Sequence, residues 1–333
     1  MNKKVHILLL ALIFLIKVNA QVIKFSQPFV GSQNMSPATT GDGLYKQRIQ
    51  SNLKTQFIDG NNLYNSIIVG WDKKIIKEEE ENKSYIGIGG QIISDRLMGG
   101  IVQNNYISLA LAYHVTFDKN LYNSLSLGMS GVFSQTTLDK SNLLFGDQYY
   151  TTGVPTGVGS QENLKSFPSG FAVNTGLMFS RHSEELFLRL GANFSFSANP
   201  QVTYSSYNKS DGSIKALFFN AETRVLYDYT LMIYGSASDQ NSNQNVIYGG
   251  ALSFPITSNW ERIKRLYIGC STRPGETIIP TFSLLLENYS FGISYDINNT
   301  SITGAQMKQN AFEISFSRSF GAKKPDRFRT LFD

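Results

Sequence analysis

From Tyr106 to Phe117 the chain alternates strictly. Ile107, Leu109, Leu111, Tyr113, Val115 and Phe117 occupy one set of positions; Tyr106, Ser108, Ala110, Ala112, His114 and Thr116 occupy the other. A period of two puts one set on each face of a β-strand. The pattern recurs along most of the chain after residue 47. Ile49, Leu53 and Phe57 alternate with Arg48, Gln50, Asn52, Lys54 and Gln56. Leu125, Leu127, Met129 and Phe133 alternate with Ser124, Ser126, Gly128 and Ser130. Leu186, Leu188, Leu190, Phe194 and Phe196 stand opposite Arg189, Asn193 and Ser195. Tyr289, Phe291, Ile293, Tyr295 and Ile297 stand opposite Ser290, Ser294 and Asp296, and Phe312, Ile314, Phe316 and Phe320 opposite Glu313, Ser315, Ser317 and Ser319. The pattern predicts about fourteen strands, an even count as in bacterial outer-membrane barrels. They fall near 48–57, 62–72, 84–94, 105–117, 122–137, 169–181, 185–197, 215–227, 229–238, 244–256, 262–272, 276–287, 288–298 and 309–320. The break near Asp228 is the weakest boundary.

Alternation alone suits a soluble β-sandwich as well as a membrane barrel, since both have one dry face per strand. Three features point to lipid. First, Lys3 and Lys4 precede an apolar run from Val5 to Ile16, and Val18-Asn19-Ala20 follows. That is the layout of a secretory signal peptide over 1–20, cleaved before Gln21. Second, the strands reach or exceed the roughly 9–11 residues that cross a bilayer at a tilt. Third, the face opposite the apolar one is Ser, Asn, Gly and Thr rather than Lys and Glu. Only 17% of residues are charged, against about 25% in typical soluble domains. Arg189 and Arg224 read as inward, away from lipid, where a mid-bilayer cation costs about 2–4 kcal/mol. Arg318 reads as outward but close to a strand end. The fold expected is therefore all-β: a transmembrane antiparallel β-barrel of the outer membrane, spanning 48–320.

Connection lengths support this. Numbered from a periplasmic N-terminus, the connections 138–168, 198–214 and 299–308 face outward and are long, whereas 118–121, 182–184 and Glu287-Asn288 face inward and are short. Outer-membrane barrels have that asymmetry. Lys73–Lys83, with its run of glutamates, is the exception. Residues 21–47 and 321–333 are then a periplasmic N-terminal segment and a periplasmic, solvated C-terminal tail. The long outward loops are the expected contact with cargo, and the two periplasmic ends the expected contact with secretion machinery.

Candidate chemistry is sparse. Cys270 is the one cysteine, so no internal disulfide forms. Apart from His6 in the signal, the histidines are His114, on the polar face of its strand, and His182, in a short turn. General acid–base work needs a positioned partner, so His114 reads as a lumen filler bonded to its neighbours. No metal-ligand spacing, phosphate loop or dinucleotide fingerprint occurs. No catalytic, cofactor-binding or metal residue is assigned, and no nucleic-acid partner, because the modest net charge of +5 is scattered. The pair Gly89-Gly90 reads as a site of curvature or close packing. Glu222, Arg224 and Asp228 read as a row of lumen charges, forming an ion-pair network or a contact for a constriction or plug.

Phe25-Ser26-Gln27, followed by Ser36-Pro37-Ala38 and Gly41, resembles the mature start of the PorP/SprF family, with Ser36 where Asn is usual. Phe291–Ile297, holding Tyr295 and Asp296, resembles its G-x-x-Y-D segment, and Phe312-Glu313-Ile314-Ser315 its closing strand. The resemblance implies an outer-membrane β-barrel of Bacteroidota that belongs to or accompanies the type IX secretion system. It also implies a large adhesin-like partner exported or anchored at the surface, and in some members a link to gliding motility. The expected partners are thus type IX components, a large secreted or surface-anchored protein, and outer-membrane lipid. The alternative is a channel or transporter for small solutes; a hydrolase would need a serine and His114 brought into one working site.

Overall fold

Strand pairing closes the sheet on itself. The computed structural model describes residues 25–27, 30–58, 61–76, 84–118, 120, 122–139, 148, 169–197, 213–226, 228–240, 243–256, 263–298, 309–321 and 330–333. Among these are fourteen strands: β1 (Gln47–Ile58), β2 (Asn61–Ile75), β3 (Ser84–Leu97), β4 (Val102–Thr116), β5 (Asn123–Leu138), β6 (Gly170–His182), β7 (Leu186–Ser197), β8 (Ile214–Leu226), β9 (Tyr229–Gln240), β10 (Asn243–Pro255), β11 (Ile263–Arg273), β12 (Thr277–Leu286), β13 (Tyr289–Asn298) and β14 (Gln309–Phe320). Each pairs antiparallel with its sequence neighbours, and β1 pairs with β14 from Gln47↔Phe320 to Ile58↔Gln309, completing a closed barrel. Closure leaves no strand edge unpaired, which is what a sheet in hydrocarbon requires.

The two faces differ as the pattern demands. On β4, Leu109 is 73% exposed while the adjacent Ala110 is 5% exposed and Ala112 3%. Ile107, Leu111 and Tyr113 point out with Leu109; Ser108 and His114 point in. The same parity around the barrel makes an outer belt of Ile, Leu, Val and Phe far larger than the apolar patches a soluble monomer exposes. Arg318 lies outside, its guanidinium 5.1 Å from the Tyr289 ring and 4.5 Å from the Phe320 ring. It stands near the end of β14, where its stem can reach the polar interface. No described helix is long and apolar enough to cross a membrane.

Antiparallel order puts every connection after an odd-numbered strand at one mouth. The long connections 139–169, 198–213 and 299–308 share that mouth, with the short turns at 98–101 and 274–276. At the other mouth β1 begins and β14 ends. The expected boundary near Asp228 falls between Leu226 and Tyr229, where a register shift at Arg224/Leu226 absorbs the turn. Strand β2 runs beyond the expected 72 to Ile75, so Lys73 and Lys74 belong to the wall. Lys74 faces in, donates to the Gly43 carbonyl and lies over the Tyr85 ring. The rest of that charged run, the signal peptide and most of the three long connections lie outside the described residues.

Candidate functional site in the barrel lumen

Two segments outside the wall lie inside the barrel. Residues 25–46 carry no period of two. They contain one helical turn, Ser32–Met35, and a 3-10 turn, Pro37–Thr39, whose Ala38 N–H donates to the Ser36 hydroxyl. Without a sheet of its own, this stretch must satisfy its polar groups on the inward faces of the strands. It does so along a track from the long-connection mouth to the opposite one.

The track starts at Ser26 and Gln27, both fully buried. The Glu313 carboxylate accepts the backbone N–H of Ser26 (2.7 Å) and of Gln27 (2.9 Å). The Ser26 hydroxyl donates to Asp296 at 2.6 Å. Lys54 and Arg273 reach the same Asp296 carboxylate at 2.7 and 3.0 Å. The Gln27 amide donates to Ser294 Oγ (3.2 Å) and accepts from Ser315 Oγ (2.5 Å). Two cations thus face two carboxylates in a buried, charge-balanced latch. Lys54 and Glu313 are cross-strand partners at the β1–β14 closure, so the start of the plug ties the seam of the barrel.

The middle of the track rests on glycines. A Cβ at Gly128 would lie 2.6 Å from Ala38 Cα, and one at Gly176 3.1 Å from Pro37 Cδ. A Cβ at Gly87 would strike the Thr40 carbonyl. The absent side chains give the plug backbone its path. Gly89, inward on β3, similarly admits Gln33 and Thr40. His114 Nε2 lies 2.8 Å from the Thr40 carbonyl, and Nδ1 2.6 Å from Ser126 Oγ. A carbonyl only accepts, so Nε2 carries the proton and Nδ1 accepts from the serine. One nitrogen holds the plug and the other is tied to the wall at β5, as the reading of His114 as a filler bonded to its neighbours anticipates.

At the far end Asp72 is a hub. It accepts from Tyr45 Oη (2.5 Å), the Gly41 N–H (2.7 Å) and Arg48 Nε (3.2 Å). Gly41 sits at φ +74°, where a side chain is strained, and a Cβ there would lie 2.8 Å from Gly87 Cα. Nearby, Asp42 pairs with Arg189 at 2.5 Å. Burial alone would raise the Asp42 pKa, but the Arg189 guanidinium overrides it and holds the carboxyl at about 2. A depressed carboxyl stabilises the fold above its unfolded value, near pH 4, and that contribution is lost as pH falls through 2. Wild type is therefore expected to lose roughly 2 kcal/mol more than Asp42→Asn between pH 5 and pH 2. Urea unfolding of both proteins at the two pH values checks this; equal losses would refute it.

The second segment is Thr330–Asp333. Phe332 stacks on Phe187 with ring centroids 5.3 Å apart, and its carbonyl accepts from Arg48 (2.9 Å) and Arg189 (3.2 Å). Val30, Phe187, Met232, Tyr234, Tyr267, Leu285, Leu331 and Phe332 form one apolar cluster in the lumen. A second cluster gathers Ala38, Met178 and Phe218. Every strand contributes an inward residue to the bonds, glycine seats or clusters around these two segments.

The expected site residues divide as follows. Ser26, Gln27, Asp296 and Glu313 converge in the latch, with half-buried Phe25 beside them. Pro37, Ala38 and Gly41 lie farther along the track. Tyr295 and Phe312 point outward at 41% and 38% exposure and belong to the apolar belt. The charged row separates. Glu222 is buried and accepts from Thr230 (2.7 Å) and Tyr267 (2.9 Å). Arg224 still pairs with the buried Thr230 but is exposed because it stands at the mouth, and Asp228 is exposed in the turn beyond it. His182 is the last residue of β6 rather than part of a turn, and lies 3.6 Å from Asp333. The expected periplasmic segments 21–47 and 321–333 differ from the structure: their described stretches 25–27, 30–46 and 330–333 lie in the lumen, where buried partners match their polar groups. The basic run 322–329 lies outside the described residues.

The sequence model of the family described as "Type IX secretion system membrane protein PorP/SprF" matches residues 18–317. No curated protein matches the sequence. Among solved structures, the Ralstonia pickettii toluene transporter TbuX is similar at 9% identity and TM-score 0.47, over 87% of this chain and 93% of that one. A KdgM porin in complex with disordered oligogalacturonate is similar at 10% identity and TM-score 0.41, over 82% and 99%. The translocator domain of autotransporter NalP from Neisseria meningitidis is similar at 9% identity and TM-score 0.38, over 87% and 92%.

Proposed function

Since the chain belongs to the PorP/SprF family of type IX secretion system membrane proteins, we propose that it is a plugged, non-enzymatic platform for one large partner protein. The protein is an outer-membrane β-barrel of that secretion system. In this reading it supports the export or surface anchoring of an adhesin-like partner, with gliding motility as one downstream process. Cargo would meet the mouth that carries the long connections, and secretion components the opposite mouth.

The observation that supports this reading is the plug. A solute channel needs a water path through the lumen, and barrels of this size have room for one. Here the track from Ser26 to Lys46 spans both mouths and is held at each end by buried charge pairs. A small-solute channel would have to move those pairs at a cost of several kcal/mol each.

Two measurements on the purified protein test it together. Planar-bilayer recordings are expected to show no steady ohmic conductance, and affinity isolation from native membranes to bring down a large secreted protein with type IX components. Stable channels with no large partner would instead establish the channel reading.

A further inference from the structure

We propose that the mouth at which β1 begins contains a peptide-binding socket, filled in this chain by Thr330–Asp333 and open to a Leu-Phe-Asp segment of another polypeptide. The four residues behave as a ligand of the barrel rather than as part of its wall. They add no strand, since β1 and β14 pair along their whole length without them. Their chain leaves the wall after Phe320, at Gly321 with φ +63°, and Thr330–Asp333 lie back inside the lumen.

What holds them is what holds a bound peptide: side chains on main-chain groups, and one aromatic anchor. Arg48 and Arg189 both donate to the Phe332 carbonyl. The Leu44 N–H donates to the Asp333 carboxylate at 3.2 Å. The Phe332 ring is stacked on Phe187 and fully buried, the kind of anchor that dominates peptide affinity. An Asp333-Thr330 turn, closed by the Thr330 N–H on the Asp333 carboxylate at 3.0 Å, fixes the ligand's shape.

The socket does not depend on its occupant. Arg48 also pairs with Asp72 at 3.2 Å and Arg189 with Asp42 at 2.5 Å, carboxylates that do not belong to the tail. Emptying the site therefore leaves no uncompensated cation, the usual reason a vacated polar site collapses. The ligand class follows from the contacts: a peptide with an aliphatic, an aromatic and an acidic residue in that order. The tether keeps the tail at a high effective concentration, so a competing peptide binds only when the tail is removed or weakened. This holds whether or not the chain serves export.

The test uses the chain ended after Arg329, in detergent, with a fluorescent Arg-Thr-Leu-Phe-Asp peptide read by anisotropy. Saturable binding is expected. It should weaken by roughly tenfold or more when Ala replaces the peptide's Phe, and be absent with the full chain. No binding to the folded truncated barrel, indifference to the Phe, or equal binding to the full chain each overturns the proposal. Should the truncated chain fail to fold, Phe332→Ala in the full chain decides. That variant must bind the peptide, and its failure to do so overturns the socket.

Discussion

Asp72→Ala is expected to destabilise the barrel by about 3–5 kcal/mol, the range for removing one partner of a buried ion pair. The reason is the number of groups that rest on one carboxylate. Arg48 is fully buried, and Asp72 is its carboxylate within the wall. Tyr45 and the Gly41 N–H, both on the plug, end on the same oxygen. Alanine leaves a buried guanidinium, a phenol and an amide without that acceptor. Asp72→Asn keeps the shape and some acceptors but not the charge, so it should fall between wild type and alanine. Urea unfolding followed by the gel shift of heat-modifiable barrels measures all three. A loss below 1 kcal/mol for alanine would mean that the plug is not anchored at this hub.

Gly128→Val is expected to act differently: it should spare the wall and displace the middle of the plug. The outward partners of β5 are untouched, and valine suits a strand. Inside, however, the first carbon of the new side chain would overlap Pro37 and Ala38, with Ala38 Cα at 2.6 Å. The obstruction is backbone, which cannot rotate aside as a flexible side chain does. Overpacking of this kind costs about 1–3 kcal/mol, less than the charge pairs at the two ends of the plug hold, so the plug backs away from the wall at Pro37 and Ala38 without leaving the lumen. A barrel that still shows the heat-modifiable gel shift, but unfolds in urea with a loss of about 1–3 kcal/mol, is the expected result. A fully stable variant would place Pro37 and Ala38 elsewhere.

The wall was legible in the sequence, and its contents were not. Strand positions follow from a local rule: Leu109 and Leu111 face lipid because they alternate with Ala110 and Ala112. Each of the fourteen predicted segments overlaps one strand, and the largest misplacements are at strand ends: β2 runs on to Ile75, β3 to Leu97, and β4 starts at Val102. The inward face of Arg189 was equally readable, since its neighbours in the alternation are leucines. The plug obeys no local rule. Ser26 and Gln27 are satisfied by Glu313, with separations of 287 and 286 residues. Nothing in the F-S-Q stretch itself shows that its acceptor lies on the last strand. The resemblance to a family gathered Ser26, Gln27, Asp296 and Glu313 as recurring residues but assigned them no contact. One physical signal was available. Gly87, Gly128 and Gly176 all occupy inward positions, and glycine on a lumen face marks a close backbone approach.

Glu222, Arg224 and Asp228 show the limit of parity. Arg224 keeps the inward parity, opposite the buried Thr230, but stands in solvent at the mouth, and only Asp228 lies beyond the register shift between Arg224 and Leu226. Glu222 stays, bonded to Thr230 and Tyr267 instead of an arginine on its own strand. Period-two reading assumes an unbroken pleat, and a bulge near a strand end is invisible to it.

The N-terminal stretch lies inside the barrel, against its closing strands. A photoreactive benzoyl-phenylalanine in place of Phe25, irradiated in intact cells, tests this most directly. Mass spectrometry should then find intramolecular cross-links to β13 and β14 around Asp296 and Glu313. Cross-links to other envelope proteins, with none to the barrel's own strands, would contradict it.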